Sequence, residues 1–117
     1  MEIRKFEIDG KQVEFVNQSR GTRSGFAHDT TIFIGGCNYG EATCHYLNRT
    51  WERFTYQTVM RKVVNNLMDE LEYRLKVNFK EYKGYKQMTA KRQAEFEEFL
   101  KGNTEMEFYR KLLDALA

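Results

Sequence analysis

Proline is absent from the 117 residues. No helix is therefore interrupted by a ring that removes a backbone donor, and long continuous helices are expected. Cysteine is nearly absent. Cys37 and Cys44 are the only two, and without a secretion signal they suggest reduced thiols rather than a disulfide scaffold. Long apolar runs are missing too: the start Met1-Glu2-Ile3-Arg4-Lys5 is charged, and nothing approaches the roughly 20 apolar residues that span a bilayer. A cytoplasmic protein without membrane contact is the expectation. A formal net charge of only +2 excludes a DNA mimic built on a strongly acidic surface.

What is present fits one α+β domain: an antiparallel four-stranded sheet over residues 1–48, then a helical part over 49–117. Residues 3–8 and 11–16 flank Asp9-Gly10, the dipeptide a two-residue hairpin turn favours. Pairing across it sets Phe6 against Val13 and Lys5 against Glu14. Residues 19–25, Ser-Arg-Gly-Thr-Arg-Ser-Gly, lack apolar side chains and read as an exposed loop. Residues 26–34 resume strand composition up to Gly35-Gly36. A turn there faces Ile34 with Cys37 and returns a strand to about Asn48; a turn at Asn38-Tyr39-Gly40 is the alternative.

The period then changes. Tyr56, Met60, Val63, Leu67, Leu71, Leu75, Phe79 and Tyr82 recur every three or four residues, one side of a helix beginning near Trp51. Thr50 is its expected N-cap, Glu52 an acid in its first turn and Gly84 its stop. At about 30 residues and roughly 45 Å, this helix is longer than the sheet can cover, so part of it should project or meet a partner, a second copy included. Two short helices should follow, one over residues 89–101 closed by Gly102, the other begun by a capping box of Thr104 and Glu107.

Chemistry is thinly represented. His28, His45, Cys37 and Cys44 number the four ligands a structural zinc takes. Strand alternation from the Gly35-Gly36 turn, however, puts the histidines on one face and the cysteines on opposite faces. The same alternation turns His45 away from Cys44, so no base serves a cysteine nucleophile. No phosphate loop or dinucleotide fingerprint occurs. The expectation is a non-enzymatic protein without metal or cofactor.

Binding candidates are more numerous. Residues 1–48 carry 5 basic and 6 acidic side chains (net −1), 49–92 carry 11 and 5 (net +6), and 93–117 carry 3 and 6 (net −3). A basic centre is a candidate footprint for phosphate or for an acidic protein, and reads equally as a solvated helix face. Arg20 and Arg23, set among small residues, form a candidate anion clamp. Arg49, Trp51 and Arg53 gather where sheet gives way to helix. Lys76, Lys80, Lys83 and Lys86, with Lys91 and Arg92, interleave with Tyr82 and Tyr85, the composition of a surface that tracks phosphates and stacks bases, or that lays a helix in an acidic groove.

The run Thr22-Arg23-Ser24-Gly25-Phe26-Ala27-His28-Asp29, with Cys44-His45-Tyr46-Leu47-Asn48-Arg49-Thr50-Trp51-Glu52-Arg53-Phe54, resembles small uncharacterised proteins of bacteriophages and mobile elements of Gram-positive bacteria. The resemblance covers roughly residues 20–67. It implies a stoichiometric inhibitor of host defence, of anti-CRISPR type, whose partner is a host defence protein or ribonucleoprotein. Two other functions stay open: direct nucleic-acid binding in phage replication or gene control, and binding of a small phosphorylated signal.

Overall fold

The computed structural model describes residues 1–47, 55–83 and 89–117, with side chains described through residue 80 in the middle stretch. Strands β1 (Glu2–Ile8), β2 (Lys11–Gly21), β3 (Gly25–Ile34) and β4 (Cys37–Leu47) form one antiparallel sheet in chain order. Helices α1 (Tyr56–Lys83), α2 (Ala90–Lys101) and α3 (Thr104–Leu116) follow. This is the expected α+β architecture. The first hairpin turns through Asp9 and Gly10, with φ of 50° and 78°, the mirror-type turn whose twist matches its strands. Its register is the expected one, Phe6 opposite Val13 and Lys5 opposite Glu14, with Lys5 Nζ 3.9 Å from Glu14 Oε1.

The second hairpin corrects the facial assignment. It turns at Gly35-Gly36 with Ile34 opposite Cys37, but Phe33 pairs with Asn38 and Ile32 with Gly40, so Tyr39 is an extra residue in β4. Gly40 takes φ 141° and donates its N–H to Asn38 Oδ1 at 2.8 Å. One added residue inverts the alternation beyond it. His28 therefore pairs with Cys44 and His45 with Ala27, which separates the histidines onto opposite faces. Cys44 joins the face of His28, and Cys37, opposite Ile34, lies on that face as well.

The expected loop over residues 19–25 is mostly strand. β2 runs through Gly21 and β3 starts at Gly25, leaving three residues closed by Thr22 N–H donating to Gly25 O at 3.0 Å. A Cβ on Gly25 would lie 1.9 Å from the Tyr46 carbonyl oxygen. Bare backbone is what lets β3 and β4 pair up to the turn.

One sheet face carries the core. Val13, Phe15, Ile32 and Ile34 alternate onto it and pack against Val59, Met60, Val63, Val64 and Leu71 of α1 and Met106, Phe108, Leu112 and Leu116 of α3. A buried polar pair sits among them: Thr30 Oγ1 donates to Asn17 Oδ1 at 2.5 Å, and Asn17 Nδ2 lies 3.6 Å from Met60 Sδ. At the first hairpin turn, Lys111 Nζ lies 2.9 Å from Asp9 Oδ1 and Lys11 Nζ 5.3 Å from the Phe108 ring, which docks α3 there.

The caps refine the helix expectations. Thr55 Oγ1 accepts from Gln57 N–H at 3.3 Å at the start of α1; the expected cap Thr50 and the acid Glu52 lie outside the described residues, as does the stop Gly84. Gly102 closes α2, as expected, while Thr89, expected as its first residue, stands one place before it as the N-cap. For α3 the cap is Asn103 rather than Thr104, its Oδ1 accepting from Met106 N–H at 2.9 Å. Asparagine is the better cap, and the shift moves Glu107 one place too far along for a capping box. Among the described residues, no helix is long and apolar enough to cross a membrane.

Candidate binding surface

The sequence candidates separate into two ends of the molecule. Arg20 stands in β2, not in a loop, and its Nε donates to Asp29 Oδ2 at 2.8 Å. Asp29 Oδ1 accepts from Thr43 Oγ1 at 2.6 Å. The Thr43 hydroxyl first, and then the Arg20 guanidinium, hold the Asp29 carboxyl below its usual range. Arg23 lies exposed in the three-residue turn. The anion clamp expected of these two arginines is thus partly occupied: Arg20 already holds an internal carboxylate. Arg49, Trp51, Arg53, Tyr85 and Lys86 lie outside the described residues, and Tyr82 and Lys83 fall in the last turn of α1, where only the backbone is described.

At this same end the core face of the sheet carries an aromatic group. Phe26 stacks on Tyr46 with ring centroids 5.0 Å apart, and the His28 ring lies 4.6 Å from that of Tyr56. Tyr56 Oη is 2.7 Å from Ser19 Oγ. A groove of about 580 Å³ runs past Arg4, Ser19, His28, Tyr56 and Gln57. Burial pushes the His28 imidazole below its usual value, opposed by a backbone hydrogen bond to Thr55 and by the charge of Asp29. Its Nδ1 finds no hydrogen-bond partner among the described residues, so cross-strand pairing with Cys44 does not make a thiol–imidazole couple. Nor do any three or more His, Cys, Asp and Glu among the described residues gather around a metal position.

The opposite end is built by a mismatch of lengths. Tyr56 of α1 contacts His28, and Met60 contacts Asn17, the partner of Thr30, so the helix advances along β3 toward the Gly35-Gly36 turn. From His28 to Ile34 the strand covers about 20 Å, whereas α1 at 28 residues is about 42 Å long. Near the far turn, burial first and then the charge of Glu105 push the Tyr109 hydroxyl of α3 up, and Tyr39, Arg74 and Glu70 lie close enough to act on it as well. The turns of α1 that follow run past the sheet, and no described side chain of α1 beyond Leu71 is buried. Leu75 and Phe79 stay half covered, with Phe79 5.5 Å from both Phe96 and Phe99 of α2.

Comparison with family models, curated proteins and solved structures gives no match. The site is therefore read from its own residues.

Along the sequence the excess of positive charge follows the same division: residues 74–92 hold 7 basic side chains and 1 acidic one, while 49–73 hold 4 of each, and the described part of the projecting tip carries Arg74, Lys76 and Lys80. Tyr73 is 70% exposed and Val77 38%. With Lys76 and Lys80 they occupy positions i, i+3, i+4 and i+7, a single stripe pointing away from Leu75 and Phe79. None of the ion pairs among the described residues involves Arg74, Lys76 or Lys80. The structure thus places Lys76 and Lys80 side by side and adds Tyr73 and Val77, which the sequence reading passed over. A charge count in a narrower window would have found the tip. The exposure of Tyr73 follows from where the sheet ends.

Proposed function

We propose that this protein is a non-enzymatic binding protein of bacteriophage type, which blocks a host defence nucleoprotein by seating the basic tip of α1 on it. The observation that carries the reading is the tip itself: Arg74, Lys76 and Lys80, which take part in none of the ion pairs among the described residues, interleaved near the projecting end of α1 with an exposed aromatic and an exposed aliphatic side chain. An RNA-guided nuclease is the target class that the sequence resemblance suggests, and its guide RNA or DNA supplies the polyanion such a tip attracts. The opposite end of the sheet supports the reading less, because Arg20 is engaged by Asp29.

The test is co-purification with assembled RNA-guided nucleases, followed by a cleavage assay. The expected result is a stable complex and loss of cleavage, with Lys76→Glu/Lys80→Glu restoring cleavage. No complex with any effector, or full inhibition by the charge-reversed variant, overturns the reading.

A further inference from the structure

We infer that the tip of α1 binds single-stranded nucleic acid without sequence preference, Tyr73 stacking on a base while Lys76 and Lys80 hold the adjoining phosphates. The inference rests on taking the tip as the contact surface and names what it contacts. Tyr73 is 70% exposed and, among the described residues, packs on no other ring. A ring held out by a rigid helix, with one face open, costs little to desolvate and offers the π surface that any unstacked base can use. Lys76 follows at i+3 and Val77 at i+4, so cation and aliphatic surface lie one turn further along the same stripe, and Lys80 one turn beyond that.

Polarity along the helix gives the strand a direction. Asp69 and Glu70 precede Tyr73 by one turn, whereas Arg74, Lys76 and Lys80 follow it. A phosphate chain is repelled on the first side and drawn on the second, so it runs from Tyr73 toward the C-terminal end of α1. That end is also the negative pole of the helix dipole; the cations there neutralise it and leave a surplus for a ligand.

Two other partners fit less well. A duplex offers phosphates to the lysines but keeps its bases stacked, leaving Tyr73 without a role. An acidic protein groove is met at its centre by arginine, tryptophan and tyrosine, with lysine depleted, whereas both cations of the described stripe, Lys76 and Lys80, are lysines. Lysine acts as a point charge on phosphate, suited to binding without readout of sequence.

Fluorescence anisotropy on the full chain tests this, with labelled oligothymidylate of about 12 nucleotides, a site size usual for such surfaces, and a duplex of equal length. The single strand should bind more tightly than the duplex. Tyr73→Ala should weaken it about 5- to 150-fold, the range measured for losing one stacked base, and Tyr73→Phe should hold it near the parent value. Lys76→Ala/Lys80→Ala should flatten the dependence of log K on log salt by about 1.4, at roughly 0.7 for each phosphate released. Equal or tighter duplex binding, a Tyr73→Ala affinity within about two-fold of the parent, or no binding at low salt overturns the inference. Inhibition of a nuclease without oligonucleotide binding would sink this inference alone; oligonucleotide binding without inhibition would sink the defence reading alone.

Discussion

The two halves of α1 both carry apolar side chains, and these meet different fates. Between Tyr56 and Leu71 the apolar side chains lie under the sheet, and Val59, Val63 and Val64 are at most 2% exposed. Beyond Leu71 the stripe goes on in Leu75 and Phe79, only half covered, and beside it Val77 is 38% exposed and Tyr73 70%. Periodicity alone says that a helix has an apolar side. Whether that side is core or contact surface depends on how far the neighbouring strand reaches, and here it reaches about half as far as the helix.

One substitution made in each half sharpens the contrast most. Val63→Ala removes two buried methyl-equivalents, at about 0.8 kcal/mol each plus the cost of the cavity, and should destabilise the protein by about 1.5–3 kcal/mol in urea unfolding. Val77→Ala makes the same chemical change on the tip and should stay within about 0.5 kcal/mol of the parent, helped by the better helix propensity of alanine. Equal losses at the two sites would mean that the tip is packed against something, and the comparison would fail.

The buried polar pair gives the next effect. Thr30→Val strands Asn17 Oδ1 inside the core, where an unmet acceptor costs about 1–3 kcal/mol. Thr30→Val combined with Asn17→Leu should lose less than the two single losses added together, because the second change removes the group the first left unpaired. Strict additivity would show that the hydrogen bond contributes nothing specific.

Local chemistry made much of this fold legible. Asp9-Gly10 sets its hairpin register because the turn type fixes the pairing and Lys5 meets Glu14. Thr89 and Gly102 bracket α2 because each satisfies helix-end groups, Thr89 accepting from Arg92 N–H and Gly102 N–H donating to the Phe99 and Leu100 carbonyls. The inserted Tyr39 was not legible: Gly35-Gly36 and Asn38-Tyr39-Gly40 both read as turns, and only pairing across the sheet makes the first a turn and the second a bulge. That one residue turned Cys44 and His45 over and so parted His45 from His28. The tip was legible in composition, as a basic helix too long for its sheet, but Tyr73 was hidden. It lies off the stripe of Leu71, Leu75 and Phe79, and its importance comes only from what fails to cover it.

His28 distinguishes the sheet end of α1 by pH. Its folded pKa is lowered from the usual 6.5, chiefly by burial. The folded state therefore binds fewer protons than the unfolded one, and the associated stability is present above pH 6.5 and is lost as pH falls below it toward the folded pKa. Asp29 also titrates low, but its contribution is present above its usual 3.8 and disappears only in more acid solution, a separate window. Melting temperature measured between pH 7.5 and 5 should fall for the parent and stay flatter for His28→Phe. A parallel fall in both would assign the loss to another group.

Arg20 gives the smallest effect and the most direct test of which end binds. Its partner lies 2.8 Å away, but the side chains are 53% and 31% exposed, so the pair is largely screened by water. Arg20→Ala should cost no more than about 1 kcal/mol. In Arg20→Ala/Arg23→Ala the loss should remain small, since Arg23 stands exposed in its turn. Both arginines lie at the 22–24 end of the sheet, and the tip leaves it at the Gly35-Gly36 end. Oligonucleotide affinity of the double variant should then stay within about two-fold of the parent, while Lys76→Ala/Lys80→Ala weakens it. The reverse outcome would move the contact surface to the Arg20 end, with Asp29 handing Arg20 over to the incoming phosphate.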